Sequence, residues 1–253
     1  AEHGLPVILP AVRAWHRETQ AGYPGPTEAH GRVYSDGSAQ HPKDPQLRVA
    51  GWGLVWAEGG RWRSTNGGVA GVQTVFRAEL HGLLAALASP RVEAIVTDCQ
   101  AAAKGIWRMR MAAVLPADLG DGAAGDLWRR IWAVDQRRVP VLWQKAHLTR
   151  EEAARAQVAE QDWDGNAHAD VAAKQASWAR RPPVQVVKAR SEQCELETMA
   201  MRVVAKVQLR RLAARQHNSA GAAAKTRKRK APPGPKAEPA PKKPRSTAER
   251  RAR

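Results

Sequence analysis

Four acidic residues occupy positions where their types and surroundings could support chemistry. Asp36 follows a β-type run in YSDGS, and Glu79 lies on or beside the apolar stripe of a predicted helix. Asp98 follows the apolar run VEAIVT, and Asp170 lies early in a predicted last helix. If these elements meet at one edge of a sheet, their carboxylates repel one another unless divalent cations lie between them. Because all-oxygen ligation favours Mg²⁺ or Mn²⁺, the pattern predicts a site for two metal ions.

Each of the four carboxylates also has an ordinary explanation when it is taken alone. Asp36 stands before a glycine, as in a simple turn after a strand, and Glu79 can reach water from the edge of its stripe. Asp98 can cap the helix that follows it. Asp170 can interact with a helix dipole if Asn166 is the N-cap. The metal-binding interpretation therefore depends on all four acting together.

The elements that must position these residues are short strands followed by longer helices. Three successive strands are predicted to form an antiparallel meander, at residues 32–35, 49–56 and 61–65. Helices and apolar strands then alternate, at residues 75–88, 92–97, 101–109, 123–136, 139–143 and 166–178. The order β-β-β-α-β-α-β-α predicts an α/β fold, with a mixed five-stranded sheet flanked by helices. Asp98 would then lie at the carboxyl end of a parallel strand, the edge where ligands collect.

The composition points to a polyanionic partner. The formal net charge is +17 over 253 residues, and basic surfaces gain affinity for nucleic acid by releasing its counterions. A membrane surface is the competing interpretation, but no run approaches the roughly 18–20 apolar residues of a bilayer span. Cys99 and Cys194 are the two cysteines, too few for a disulfide framework or a zinc site. No membrane partner is therefore expected.

Three regions are predicted before the C-terminal tail. Residues 1–30, which include a stretch rich in Pro and Gly, are interpreted as a linker. Residues 31–180 are expected to form the folded domain. Residues 193–216 predict a basic amphipathic helix, which could pack on the domain or on a partner and has on one face Leu196, Met199, Val203 and Val207.

The tail, residues 221–253, is predicted to be disordered and basic. Residues 225–253 hold twelve Lys or Arg and two Glu, a net charge of +10, and no apolar side chain larger than Ala or Pro. Such a segment cannot offset its ordering entropy by burial. Its two basic clusters, 225–230 and 241–245, fit a nuclear-import signal, so a nuclear or cytoplasmic location is predicted. A merely solubilising tail is the alternative.

Taken together, the acidic motifs resemble those of type 1 ribonuclease H. The motifs are DGS around Asp36, RAEL around Glu79, TDCQ around Asp98 and GNAHADVAAKQA around Asp170, and the resemblance covers about residues 31–180. It implies an RNase H-like fold and an endoribonuclease that cuts the RNA strand of an RNA:DNA hybrid. It also implies that the four carboxylates hold two Mg²⁺, or Mn²⁺, about 4 Å apart. The products would carry a 5′ phosphate and a 3′ hydroxyl.

The resemblance extends to residues around the carboxylates. The family places a mobile histidine before the last helix, for proton transfer or product release, and His147 occupies that place. A short helix between His147 and Asn166 is the alternative that moves this histidine away. The stretch between His147 and Asp170 resembles domains that end reverse-transcriptase polyproteins of retroelements, so a larger polyprotein is expected. Predicted substrate contacts are Gly37, Ser38, Asn66, Gln73, Gln100 and Asn166.

Other residues with possible chemistry receive structural interpretations. His81 and His168 are predicted to be surface residues, because each lies two positions from a motif carboxylate and points elsewhere. Cys99 is interpreted as structural, since no motif places a histidine to activate it. The tryptophans of the strands favour a half-buried sheet face over base-stacking platforms; they are Trp52, Trp56 and Trp62.

Two other functions stay open on the sequence. One is a catalytically weak module of the RNase H fold that binds nucleic acid with help from the basic tail. The presence of all four motif carboxylates counts against it. The other is a nuclease of the same fold that cleaves DNA strands.

Overall fold

The centre of the protein is a five-stranded mixed sheet. A computed structural model describes residues 10–18, 21–135 and 139–229, with side chains described as far as residue 216. The spatial order of the strands is β3-β2-β1-β4-β5. Strands β1 and β2 and strands β2 and β3 pair antiparallel, whereas β4 pairs parallel with both β1 and β5. The predicted α/β class with a mixed sheet is confirmed. The strands are β1 (His30–Gln40), β2 (Val49–Glu58), β3 (Arg61–Gly68), β4 (Arg91–Thr97) and β5 (Val141–Trp143).

Helices precede the sheet, connect its later strands and follow it. They are α1 (Pro10–Glu18), α2 (Val75–Ala88), α3 (Gln100–Met111), α4 (Ala117–Gly120), α5 (Gly125–Val134), α6 (Arg150–Arg155), α7 (Glu160–Ala179) and α8 (Val184–Arg229). The prediction from sequence lacked α1 and α4, and it gave a short helix at the place of α6 only as an alternative. No helix of the described ranges is both long enough and apolar enough to cross a bilayer.

Alternating residues of β1 face helices on opposite sides of the sheet. Ser35 lies against Gly82 of α2, whereas the ring of Tyr34 lies against Gly165 of α7. The main core fills the α2 side, where strand residues such as Leu54 pack with the leucines of α2. The α7 side has a smaller apolar cluster, which includes Tyr34 and Val55. The sheet is therefore covered on both faces, as period-2 alternation requires.

Helix α2 has clear local signals at both ends. Thr74 is its N-cap and accepts a hydrogen bond from the backbone N–H of Arg77, at 3.1 Å. The helix ends at Ala88, because Pro90 disfavours helical backbone at the residue before it. Every residue from Arg77 to Leu87 is buried. The helix is therefore enclosed on nearly all sides, rather than along one stripe.

Helix α7 lies close to β2 because that strand carries glycines on the side that faces it. A Cβ atom on Gly53 would lie 2.5 Å from the backbone nitrogen of Ala173, and Gly51 meets α7 equally tightly one pleat away. Gly53 is the cross-strand partner of Asp36. The missing side chains thus bring the helix that carries Asp170 against β2, directly beside the position of Asp36 on β1.

The segment predicted as an N-terminal linker contains structured residues. Helix α1 buries Val12 and Trp15 in an apolar cluster with Leu47, Val49 and Val186. The run PAVRAWHRE is only nine residues long, and the apolar residues that Val12 and Trp15 contact lie far away in the sequence. The helix is therefore stabilised by tertiary contacts, as is usual for helices of this length.

Residues just before β1 are also tied to the domain, through a partly buried ion pair. The guanidinium of Arg77 donates two hydrogen bonds to the Asp126 carboxylate, at 2.6 and 2.7 Å. The Tyr23 hydroxyl donates to the same carboxylate at 2.6 Å, and the Arg130 guanidinium lies 3.7 Å from the centre of the Tyr23 ring. These donors hold the pKa of Asp126 well below its usual range.

His81 is buried, so its prediction as a surface residue was wrong. Its Nε2 atom accepts a hydrogen bond from the backbone N–H of Ala70 at 3.0 Å, which leaves the proton on Nδ1. Nδ1 donates to the carbonyl of Arg77 at 2.7 Å. Burial lowers the pKa of His81 to about 4, so the ring is neutral at physiological pH. It fastens the loop after β3 to α2.

The residues from Cys194 onward form a second unit, described here by itself. Helix α8 is longer than the predicted 193–216, and its apolar side chains between Leu196 and Leu212 are exposed. Residues 221–229 were predicted to be disordered but are helical, in keeping with the helix propensity of their Ala, Lys and Arg residues. The rest of the tail, 230–253, lies outside the described residues, and so does the basic cluster 241–245.

The close approach of α7 to β2 gives a test of the fold. We expect Gly53→Ala to destabilise the protein by about 1–3 kcal/mol, because the new methyl group meets backbone atoms that cannot rotate away. Urea denaturation followed by tryptophan fluorescence measures the change. Gly22→Ala is the matched control, since a Cβ atom there has nothing within 4 Å. Equal urea midpoints for the two variants would show that α7 can move away from β2 without loss of stability, which contradicts the prediction.

Candidate metal centre

Asp36 lies inside β1 rather than at its end. The predicted end of the strand at Ser35 was wrong, because β1 continues to Gln40 and pairs with β2 through that residue. Gly37 donates its backbone N–H to the Asp36 carboxylate at 2.8 Å. A Cβ atom on Gly37 would lie 2.6 Å from the backbone nitrogen of Glu79. The absence of a side chain at Gly37 therefore lets α2 pack closely against β1. Asp36 and Gly37 do not form a turn.

The structure brings three of the four motif carboxylates together. One oxygen from each of Asp36, Glu79 and Asp98 lies within 4.8 Å of the other two. Asp98 directly follows β4, whose last residue, Thr97, is the parallel partner of Ser35. Asp36 and Asp98 therefore occupy adjacent positions, one on β1 and the other at the end of β4. Glu79 reaches them from α2, and only 4 % of it is exposed. It does not reach water from the edge of its stripe.

Burial and mutual repulsion make this cluster a poor place for negative charge without a cation. Burial, followed by the charge of Asp98, raises the pKa of Asp36 to about 7. Burial and the charge of Asp36 raise the pKa of Glu79 well above its usual value. Burial also raises the pKa of Asp98, although a hydrogen bond from Asn166 opposes that rise. Binding a cation would relieve all three effects.

The oxygen atoms fit a hard divalent cation. Glu79 Oε2 is buried and has no hydrogen-bond partner among the described residues, a costly state for a carboxylate oxygen unless a ligand takes it. Three carboxylates supply only oxygen donors, the type preferred by Mg²⁺ and Mn²⁺. The chemistry of these donors therefore matches the predicted metal ions.

Asp170 lies outside that group of three, on the third turn of α7. The helix begins at Glu160, so Asn166 is not the predicted N-cap and Asp170 is too far from the helix start for a dipole effect. The charge of Asp170 contributes to the raised pKa values of Asp36 and Asp98, which places it within electrostatic range of both. Its carboxylate is paired with the Lys174 ammonium at 2.7 Å.

Asn166 and His147 approach the cluster from its other sides. The Asn166 side-chain amide donates to the Asp98 carboxylate at 3.4 Å, and its own oxygen is buried without a hydrogen-bond partner in the described part of the chain. His147 is exposed, has a left-handed backbone with φ of 51°, and acts on the pKa of Asp98. The short helix α6 is present after it, yet it leaves His147 within electrostatic range of Asp98.

The other residues predicted to contact substrate have different surroundings in the structure. Gln73 uses its side chain to hold the loop after β3: it accepts from Ala50 at 3.0 Å and donates to the carbonyls of Val69 and Gly71 at 2.8 Å each. Gly37 and Ser38 follow Asp36 on β1. Asn66 is exposed near the end of β3, and Gln100 is exposed at the start of α3.

Reasoning from sequence missed three residues around the site. The Trp143 indole donates to the carbonyl of Asp98 at 3.0 Å, and the Trp163 indole donates to the carbonyl of Leu148 at 2.8 Å, beside His147. Lys174 is the third. Only Lys174 left a usable signal, because it follows Asp170 by four helical positions.

The tryptophans of the strands, His168 and Cys99 have surroundings that fit a structural role. Trp52 and Trp56 are buried in the main core, and the Trp62 indole donates to Asp164 at 2.7 Å. His168 is exposed, as predicted. Burial raises the pKa of the Cys99 thiol to about 11, which keeps it protonated at neutral pH.

A sequence model of the RNase H family matches residues 28–178, a range that includes all four motif carboxylates and His147. The chain belongs to the RNase H family. It therefore carries a domain of the RNase H nuclease type, with an acidic cluster able to hold metal. The search of curated proteins finds no match.

Several solved structures are similar to this RNase H domain. The foamy viral protease-reverse transcriptase in complex with dsDNA has 20% identity and a TM-score of 0.40, covering 58% of this chain and 94% of that one. LC9-RNase H1, described as a type 1 RNase H with the type 2 active-site motif, has 15% identity, coverage of 61% and 75%, and a TM-score of 0.41. LC11-RNase H1 in complex with an RNA/DNA hybrid has 19% identity, coverage of 57% and 94%, and a TM-score of 0.36.

The raised pKa of Asp36 predicts how the metal-free domain responds to pH. The folded protein holds the Asp36 proton up to about pH 7, whereas the unfolded chain releases it near pH 3.8. Stability is therefore lost as pH rises between these values. In EDTA at pH 8, we expect Asp36→Asn to be more stable than wild type by about 1–3 kcal/mol, an advantage that disappears below pH 4.

Urea denaturation at several pH values, with and without EDTA, measures this difference. Glu93→Gln is the control, because Glu93 is an exposed carboxylate of β4 and its replacement should leave the curve unchanged. An Asp36→Asn variant less stable than wild type at pH 8 in EDTA would contradict the electrostatic account of the cluster.

Proposed function

We propose that this RNase H domain is an endoribonuclease of type 1 that hydrolyses the RNA strand of RNA:DNA hybrids, using two divalent metal ions. The observation that carries the proposal is the convergence of Asp36, Glu79 and Asp98 within 4.8 Å, in a chain of the RNase H family. Mg²⁺ is the expected ion, and Mn²⁺ is the alternative. Asp170, within electrostatic range of two of these carboxylates, completes the proposed ligand set.

The residues of the chain divide the work as follows. Asp36, Glu79 and Asp98 hold one ion, and Asp170 with its carboxylate neighbours holds the other. Bound divalent ions supply activation of the attacking water and stabilisation of the leaving 3′ oxygen. Asn166 orients Asp98 through its amide. His147, exposed on the side of the cluster where it acts on Asp98, would assist proton transfer or product release.

A cavity that is lined by residues of α2, α3, α4 and α5, and by none of the motif carboxylates, offers a place to grip the nucleic-acid backbone. It has a volume of about 470 Å³ and lies between the start of α2 and the start of α3. Ala101, three residues after Asp98, lines it, and so do Thr74 and Lys104. A hydroxyl and an ammonium group suit phosphate contacts, which position a duplex without reading its sequence. Discrimination of the RNA strand would come from its 2′-hydroxyls.

Cleavage of a labelled hybrid tests the proposed function. With Mg²⁺ present, we expect Asp98→Asn to slow cleavage by at least about two orders of magnitude, because bound metal contributes several kcal/mol to catalysis. Hybrid binding should persist. Glu93→Gln, a carboxylate of the same strand, should cleave like wild type.

The substrates that are cut distinguish the proposal from its alternatives. A protein that binds the hybrid but never cuts it, with either metal ion, is a nucleic-acid-binding module. A protein that prefers duplex or single-stranded DNA is a DNA nuclease of the same fold. Either result contradicts the proposal.

The basic tail is proposed to bind phosphates outside the catalytic domain. Deleting residues 225–253 removes a net charge of +10. We expect the deletion to flatten the dependence of hybrid affinity on salt, since each phosphate contact contributes about 0.7–0.9 to the logarithmic slope. Cleavage of short hybrids should be largely unchanged. An unaltered slope in filter-binding titrations from 50 to about 200 mM salt would show that the tail binds no phosphate.

The proposed context is a larger reverse-transcriptase polyprotein of a retroelement. The basis is the resemblance of the stretch between His147 and Asp170 to domains of that kind. The clusters 225–230 and 241–245 are proposed to direct nuclear import. A fluorescent fusion of the chain with both clusters replaced by Gln and Ala should lose nuclear accumulation relative to the unaltered fusion.

A further inference from the structure

Lys174 is the cationic side chain that pairs with a motif carboxylate. Its ammonium lies 2.7 Å from Asp170 Oδ2, one helical turn along α7. Among the residues that the structure describes, no lysine or arginine pairs with Asp36, Glu79 or Asp98, and Asp170 stands outside that cluster. The four carboxylates are therefore not equivalent, because one of them already has a counter-charge supplied by the chain.

The ammonium and a divalent ion compete for the Asp170 carboxylate, because each positive charge disfavours the other at that site. A cation that binds Asp170 is therefore opposed by the charge of Lys174 unless the ammonium moves away. Displacement is inexpensive, since the Lys174 side chain is 59 % exposed and exposed ion pairs contribute about 0.2–1 kcal/mol. The Lys174–Asp170 ion pair can therefore be broken by a divalent ion, yet it is strong enough to lower the affinity for that ion measurably.

We propose that Lys174 is an internal competitor for the second metal ion and makes the two ions bind in sequence. The first ion would bind at Asp36, Glu79 and Asp98, and the second ion, weakened by the ammonium on Asp170, would bind after it. This inference rests on the proposed function, since it assigns an order of binding to the same site. Lys174 is a positioning residue here, because it acts through Asp170.

The competition also couples the second ion to the nucleic acid. A phosphate arriving at the cluster adds negative charge, which favours the incoming divalent ion. The same phosphate offers the displaced ammonium a new partner, since lysine binds phosphate as a mobile point charge. The second ion should therefore bind more tightly when a substrate is present.

Titration of the full chain with Mn²⁺, with the free ion followed by electron paramagnetic resonance, tests the order of binding without relying on catalysis. We expect two classes of site in wild type. Lys174→Gln should tighten the weaker site by about two- to fivefold, the range expected from loss of an exposed ion pair, and leave the tighter site unchanged. Lys174→Arg, which keeps the charge, should behave like wild type.

Two controls separate competition from a general effect of charge. Lys188→Gln removes an exposed lysine of α8 and should change neither site. Asp170→Asn should weaken the second site, and adding Lys174→Gln to it should have no further effect. In hybrid cleavage, Lys174→Gln should reach its half-maximal rate at a lower Mn²⁺ concentration than wild type.

The outcomes distinguish this inference from the proposed function. Two sites whose affinities do not respond to Lys174→Gln, or respond equally to Lys188→Gln, would overturn the competition and leave the nuclease assignment intact. Absence of any divalent-ion binding by the wild-type chain would overturn both.

Discussion

The repulsion among three carboxylates in a largely buried site is the constraint on which the rest of the structure depends. Asp36, Glu79 and Asp98 come from three different elements, and each has a raised pKa because burial and neighbouring charge disfavour ionisation. The arrangement persists because the apolar cores on the two faces of the sheet hold β1, β4 and α2 in place. The stability that those cores contribute offsets the destabilising effect of the carboxylate cluster. Proteins commonly tolerate such local destabilisation at functional sites.

Close backbone approach is the means by which the fold imposes this constraint. Gly37 lets α2 come within reach of β1, and Gly53 lets α7 come within reach of β2. Both glycines lie in strand interiors, where they weaken a strand by removing packing surface. Their value lies in the side chains that the approaching helices carry, Glu79 and Asp170.

The parts of the site that sequence could predict are those with local causes. The apolar stripe around Glu79 and the apolar run before Asp98 are patterns of consecutive residues, and the structure keeps both elements. The continuation of β1 through Asp36 could not be read in the same way, because it depends on pairing with β2. His81 was misplaced for a similar reason: enclosure of α2 on nearly all sides is a tertiary property.

Helix α7 shows how tertiary packing overrides a local signal. The last helix was predicted to begin at Asn166, yet α7 begins at Glu160. Gly165 lies inside the helix, where a Cβ atom would lie 2.5 Å from the ring of Tyr34. The first turn is fastened by Asp162, which accepts hydrogen bonds from Arg32 and Tyr34. A glycine here serves ring packing rather than chain reversal, and no property of the neighbouring sequence distinguishes the two uses.

The attachment of Tyr23 to the Arg77–Asp126 pair bears on how the domain can be excised. A fragment trimmed to the family match, 28–178, would lack the tyrosine hydroxyl on Asp126. It would also strip Leu47 of the apolar cover that α1 and the start of α8 provide. A fragment with those bounds would therefore expose apolar surface that the longer chain buries.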